Sequence, residues 1–401
     1  MNPLLALLKH DKGEPDKGVA DKSGADTLEK QEAPRKPAST HPHLDRVLPT
    51  AAMPGGEVEV HGTNLGPMAN ILPRATIGDL ESPILLARPG RVTLRIPDGT
   101  ISGDVVLHRS GESSNPLHLR VAVPMAENLH PVANPAVDTN GQVFATVSGA
   151  RGQQVPVAIF CIQRDLQIRP HVRELMNATA LAFGPDGSLY CSSRSEGTIY
   201  RISSNGTPTT YAEGLGIATG IAFDRHGNLF VGDRTGTIFK ITPPPASSTG
   251  PSFSGISEEE RLDDEAPGTS PSIFVHATLE PSMAAYHLAF NAAGTLFVTG
   301  PTTSSSQSIH AIDPDGNTSV FFHGLGRAQG MAFDVDDNLY VAASLHGQRG
   351  IVRITPLGDA SLILSGQNLV GLAFLEDGCA ALSTRDALYH VDLGVQGRVL
   401  P

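Results

Sequence analysis

Apolar and polar positions along this chain fall into short runs, and one arrangement of runs keeps returning. In its clearest copy, Gly220 to Ile241 (GIAFDRHGNLFVGDRTGTIFKI), the apolar triplet Ile221-Ala222-Phe223 precedes a polar reversal ending at Gly227. Leu229-Phe230-Val231 then runs back, and an alternating stretch from Thr237 to Ile241 follows. Aligned on the reversal, the copies carry Gly141, Gly187, Gly227, Gly294, Asp337 and Gly378, at steps of 46, 40, 67, 43 and 41 residues. Gly or Asp at that place supplies the backbone freedom or local hydrogen bonding a tight turn needs. A unit of about forty residues occurring six times means stacked supersecondary modules.

Each unit predicts four antiparallel strands. In the second copy these are Leu181-Ala182-Phe183, Ser188 to Cys191, Gly197 to Ile202 and a more polar run from Thr209 to Tyr211. Apolar character falls from first strand to last, so burial grades outward from an axis. A four-stranded sheet cannot cover both of its faces alone, and six arranged radially cover one another; the predicted fold is an all-β six-bladed β-propeller. Blade one runs from Asn134 to about Leu175, with Val155 to Ile162 as its third strand, and blade two from Thr179 to Ala212. Blades three to six begin near Thr219, Tyr286, Gln329 and Val370. The tail, Val395 to Leu400, is expected to close the ring in preference to Leu119 to Val123, which the preceding module needs. An insertion at about 243–283 carries seven acidic residues around Arg261; it reads as a solvated excursion, with a lid or partner surface as the alternative. Ile273-Phe274-Val275 completes blade three.

Ahead of the repeats, Glu57 to His61, Arg91 to Ile96, Asp104 to Leu107 and Leu117 to Val123 alternate between Gly-, Pro- and Asn-rich turns. That spacing predicts a small two-sheet sandwich over residues 45–124, before a propeller over 125–401, with a fixed contact between them. Residues 1–44 hold almost no large apolar side chains after the first ten and are expected to be disordered, with an amphipathic anchor at Leu4 to Leu8 as the alternative.

The formal net charge of −12 argues against a nucleic-acid surface. No run of eighteen apolar residues predicts a membrane span. Cys161, Cys191 and Cys379 are too scattered for a disulfide framework and read as small buried hydrophobes. The amino terminus lacks the basic region and cleavage site of a signal peptide, which leaves the compartment open. Nothing in the sequence indicates an oligomeric state.

The stretch 45–124 resembles the immunoglobulin-like IPT/TIG domain. The matching pieces are Pro54-Gly55-Gly56, Val58 to Gly66, Ala75-Thr76-Ile77-Gly78, Arg91 to Gly99 and Ser114-Asn115-Pro116-Leu117. The resemblance implies a spacer or contact module without catalysis. The repeats resemble NHL repeats and the regucalcin/gluconolactonase family of six-bladed lactonases. Gly220 to Asp224, Gly227 to Val231, Asp233 and Gly236-Thr237-Ile238 carry the likeness, which recurs over 134–392. Those lactonases hold one divalent metal at the channel mouth on a Glu, an Asn and an Asp. Here Asn134, Thr219 and Gln329 stand at the matching places, a set with no charged oxygen for a hard cation.

The residues expected at the channel mouth are Asn134, Thr179, Thr219, Tyr286, Gln329 and Val370, with His287 beside Tyr286. Asp233-Arg234, Arg194 and Arg385 follow second strands and can sit at the same mouth, where arginines and hydroxyls suit a carboxylate or a sugar; the plainer reading of Asp233 is a pair with a neighbouring arginine that closes its turn. The first functional expectation is a non-enzymatic propeller that binds a protein, glycan or small molecule, with no cofactor. The alternative is a metal-assisted hydrolase or lyase using Ca²⁺ or another divalent cation on the axis.

Overall fold

A computed structural model describes residues 41–69, 71–149, 153–244, 270–300 and 306–398. Residues 1–40 of the expected disordered tail and most of the acidic insertion lie outside the described residues, whereas His43 and Leu44, expected in that tail, begin a strand with Leu44 in the core. The architecture is all-β, dominated by four-stranded antiparallel sheets in a propeller-like arrangement. Among the described residues no helix is long and apolar enough to cross a membrane.

Each repeat folds into one sheet. In the second, Ala178–Phe183, Leu189–Ser193, Thr198–Ile202 and Pro208–Ala212 pair in chain order. The third uses Ala218–Phe223, Leu229–Asp233, Thr237–Thr242 and Ser272–Thr278, so the Ile273-Phe274-Val275 run is its outer strand. First strands touch in order from repeat one to repeat six, and the first strand of repeat one, Ala136–Val137, also touches that of repeat six, Leu369–Phe374. The third strand of repeat one is Ile159–Ile162, shorter at its start than expected.

An aromatic relay explains how neighbouring sheets lock. The second strand of one repeat presents a ring to the Phe that ends the first strand of the next: Phe144–Phe183, Tyr190–Phe223, Phe230–Phe290, Phe297–Phe333 and Tyr340–Phe374, at 4.9 to 5.4 Å between centroids and edge-to-face. Such pairs contribute roughly 0.5–1.5 kcal/mol each beyond their buried area. Where repeat six meets repeat one the pattern stops, and Ala381, Leu388, Val143 and Val137 form an aliphatic seam. That seam is where chain start and chain end must join.

The join differs from the expectation. Val123–Glu127, not the tail, pairs with Ala387–Asp392 as the outer strand of the sixth sheet. The segment serves two modules because it breaks at buried Ala122: Leu117–Val121 stays in the N-terminal sheets, and the next five residues pass to repeat six. Pro124 is tolerated because this strand is an edge. The tail crosses the turns instead, with Val335 N–H on Gln396 O (3.1 Å) and Arg398 N–H on Phe333 O (3.0 Å).

Two sheets precede the repeats. His43–Leu48, Glu57–Thr63, Arg91–Arg95 and Ile84–Arg88 form one; Leu117–Val121, Gly103–Arg109, Arg74–Ile77 and Leu80–Ser82 lie in the other. Leu44, Val58, Leu94, Leu107 and Leu119 share one core between them. Ala51–Ala52 runs parallel to Leu364–Ser365 of repeat five on one side and to Arg120–Val121 on the other, so one sheet continues from the repeats into the N-terminal region. Gly56 has to be glycine here, since a Cβ would lie 2.6 Å from the Ser365 carbonyl oxygen.

The reversals are held by carboxylates. Asp224 Oδ1 accepts the N–H groups of His226 and Asn228, both at 2.9 Å, and Oδ2 accepts Asn228 Nδ2 at 2.8 Å. Asp138 and Asp334 repeat the pattern, and Asn291 keeps one of its bonds. Short side chains that bond nearby amides favour turns over continued strand.

Candidate functional site

Antiparallel pairing sorts the loops of every repeat onto two faces. The turns between strands one and two and between strands three and four lie on one, the turn face. Second strands end, third strands begin and first strands begin on the other, the entry face. Charge is handled differently on each. On the turn face arginines meet carboxylates: Arg201 with Asp186 at 2.6 Å, Arg164 with Glu376 at 2.7 Å, and Arg398 with Asp337. On the entry face Arg194, Arg234, Arg327, Arg349 and Arg385 form no ion pair with any described carboxylate.

Three of these converge. Arg327 lies in the linker into repeat five, Arg349 in that repeat's third strand, Gln348–Ile354, and Arg385 after the second strand of repeat six, Cys379–Thr384. They line a concavity of about 410 Å³ together with Gln329, Ser344, Gln367 and Asn368. Arg349 is held only by neutral oxygens: Nη1 donates to Arg327 O (3.2 Å), and Nη2 to Gln329 Oε1 (2.9 Å) and Leu369 O (2.7 Å). Burial, then the charges of Arg327 and Arg385, pull its pKa down to about 10. It remains a cation at neutral pH, poorly solvated and facing like charge. The Arg327 and Arg385 side chains are exposed, and neither guanidinium bonds a described residue. An anion entering here relieves the repulsion that Arg327 and Arg385 exert on the poorly solvated Arg349.

Asn134, Thr179, Thr219, Tyr286 and Asp233 spend their polar side-chain groups inside the fold. Asn134 does not align with Thr179. The register puts Val137 opposite Val143 and Phe183 opposite Leu189, so Asn134 matches Ala180, Gly220, His287, Gly330 and Gly371. Its amide reaches repeats five and six, Nδ2 donating to Met331 O (2.8 Å) and Oδ1 accepting Leu372 N–H (3.1 Å). A Cβ at Gly371 would lie 2.8 Å from Asn134 Cα, so first strands approach closely here and small residues dominate the position. Thr179, Thr219 and Tyr286 are buried to 2%, 1% and 0% exposure. Thr179 Oγ1 donates to Asn177 O, Thr219 Oγ1 donates to Gly232 O and accepts Tyr286 N–H, and the Tyr286 hydroxyl donates to Glu280 O. Val370, also buried, gives its carbonyl to Gly330 N–H. His287 is 5% exposed, and burial holds its imidazole down to about 4. Asp233 pairs with no arginine; it accepts Ile217 N–H (2.8 Å) and the Thr235 hydroxyl. Of the expected set, only Gln329 and Arg385 meet in the pocket.

The donor set does not fit a divalent cation at the matched positions. Asn134 Oδ1 takes Leu372 N–H, Thr219 Oγ1 bonds two main-chain groups, and Gln329 Oε1 takes a guanidinium. Among the described residues no group of three or more His, Cys, Asp or Glu side chains is placed to hold a metal ion.

Arg327 and Arg349 escaped the sequence reading. Neither sits at a repeated position, since one belongs to a linker and the other to a third strand. Their partner Arg385 follows a second strand, as do Arg194 and Arg234, and that shared place in the repeat was readable.

Solved structures share this fold. A protein of unknown function from Bacteroides thetaiotaomicron superposes with a TM-score of 0.51 at 13% identity, over 90% of this chain and 100% of that one. A protein described as a gluconolactonase superposes at 0.50 with 17% identity, over 69% of this chain and 93% of that one. The fold therefore resembles distantly related gluconolactonase-like β-propeller proteins, and at these identities the likeness concerns fold alone. No family model matches the chain, and no curated protein matches it.

Proposed function

We propose that this chain is a binding protein: a closed six-bladed propeller over residues 125–401, carried by an immunoglobulin-like IPT/TIG-type sandwich over 45–124, that captures an anionic ligand on its entry face. The carrying observation is the pocket of Arg327, Arg349 and Arg385, three cations without a carboxylate among the described residues. Carboxylates suit planar guanidinium groups because both oxygens accept parallel hydrogen bonds. Gln329, Gln367, Asn368 and Ser344 add neutral donors and acceptors, which match hydroxyls. A sugar acid combines both chemistries. The sandwich serves as spacer or second contact, held by Ala51–Ala52 against repeat five and by the short segment through Ala122 to repeat six.

Repeats of NHL and gluconolactonase type account for the period, while the catalytic metal of the lactonases has no donor set at the matched positions. No step of hydrolysis is assigned to this chain.

Calorimetric titration tests the proposal with galacturonate and, as the neutral control, galactose. Galacturonate binds and galactose binds at least tenfold more weakly. Arg349→Gln removes one charge-assisted contact, about 1.5–3 kcal/mol, and weakens galacturonate about 10–100-fold. Equal affinity for the two sugars, or an Arg349→Gln protein that binds as the wild type does, refutes the proposal.

A further inference from the structure

The entry face carries a second cationic site. Arg194 and Arg234 occupy equivalent places after the second strands of repeats two and three, the same place that Arg385 holds in repeat six. Both are half-buried. Arg194 Nη2 makes only long contacts, to Gly149 O (3.5 Å) and Asn177 Oδ1 (3.4 Å). Arg234 is held by carbonyls, Nη2 on Met283 O at 2.6 Å and Nε on Ser282 O at 3.4 Å. Burial and the neighbouring Arg234 charge lower the Arg194 pKa.

Taking the ring order of the proposed propeller, repeats two and three stand across the axis from repeats five and six. We propose that Arg194 and Arg234 form a second anion subsite, so that the ligand is a linear acidic oligosaccharide spanning the entry face, with one carboxylate at each arginine group. This rests on the pocket reading above and adds the size and charge spacing of the ligand. The choice of a glycan follows from the lining. Among the described residues Leu369 is the sole large apolar side chain lining the first pocket, so a peptide's apolar side chains find no cleft there. Among the described residues no aromatic ring lines that pocket to stack a base.

The test compares galacturonic acid with hexagalacturonate by calorimetry on the full chain. Two linked contacts raise affinity well beyond one, and the gain appears only if one molecule reaches both. The hexamer binds at least about 30-fold more tightly than the monomer, with a steeper salt dependence. Arg194→Gln/Arg234→Gln returns the hexamer to near-monomer affinity and leaves monomer affinity within about twofold. Arg194→Lys/Arg234→Lys keeps the charge and most of the gain, which separates lost charge from a misfolded face. A hexamer no tighter than the monomer, or one indifferent to the double Gln variant, overturns the second subsite while monomer binding and its loss in Arg349→Gln leave the first pocket standing. A poly-glutamate peptide that binds and responds to the double variant, where hexagalacturonate does not bind, overturns the glycan assignment. Failure of the monomer to bind counts against the first pocket alone if the hexamer still depends on Arg194 and Arg234.

Discussion

Replacing Asp224 by Ala isolates the cost of one repeat's turn. The carboxylate is 9% exposed and accepts three hydrogen bonds, from His226 N–H, Asn228 N–H and Asn228 Nδ2. Hydrogen bonds to a charged group contribute about 1.5–3 kcal/mol each, and a buried donor left without an acceptor costs about 1–3 kcal/mol. His226 is exposed, so water replaces its bond; Asn228 is 8% exposed and has no ready substitute. One well-replaced bond and two poorly replaced ones give a loss of about 2–4 kcal/mol, less than the sum because the alanine also sheds a desolvated charge. The chain has no tryptophan, so urea unfolding is followed by far-ultraviolet circular dichroism. The midpoint falls with an unchanged slope, since the surface exposed on unfolding stays the same. Asp224 lies on the turn face, so galacturonate affinity stays within about twofold of wild type at equal folded fraction. A stability loss below about 0.5 kcal/mol, or a loss of affinity without one of stability, refutes the turn argument.

Phe223→Ala removes one ring of the aromatic relay, 6% exposed and 4.9 Å from Tyr190, and costs about 3–5 kcal/mol in the same urea experiment. His287 yields a pH signature: its folded pKa, about 4, lies below the unfolded value near 6.5, so the unfolded state binds more protons between these limits. Stability from this group is present above pH 6.5 and is lost as pH falls towards 4, by about 3 kcal/mol at most. His287→Ala, which places at this position the residue found at Ala180, flattens that decline in melts run from pH 7 to pH 4; an unchanged slope contradicts it.

Much of the architecture was legible because apolar runs of strand length recur at a fixed period and each turn carries its own Gly or Asp. The four strands of repeat two and the outer strand at Ile273 to Val275 followed from that alone. Closure was not legible. Val123–Glu127 looks like a continuation of Leu117–Val121, and only the three-dimensional break at Ala122 sends it to another sheet. Asn134 misled because Asn134-Pro135 was matched to the residue pair one place earlier in the other repeats, and the pairing of Val137 with Val143 corrects the register. The site itself was half visible. Repetition marks Arg194, Arg234 and Arg385, but it cannot tell a free guanidinium from a consumed one. Thr219 and Asp233 also look polar and well placed, and their side chains are spent on main-chain groups. Arg349 reaches the pocket because the third strand of repeat five begins beside the linker into repeat six, a proximity created by the fold.

The most direct test is a crystal structure of the full chain grown with galacturonate. The account predicts a sugar in the concavity between repeats five and six, its carboxylate within hydrogen-bonding distance of Arg349 and at least one of Arg327 and Arg385. A sugar bound on the turn face, or a pocket whose arginines meet only solvent at saturating galacturonate, contradicts it.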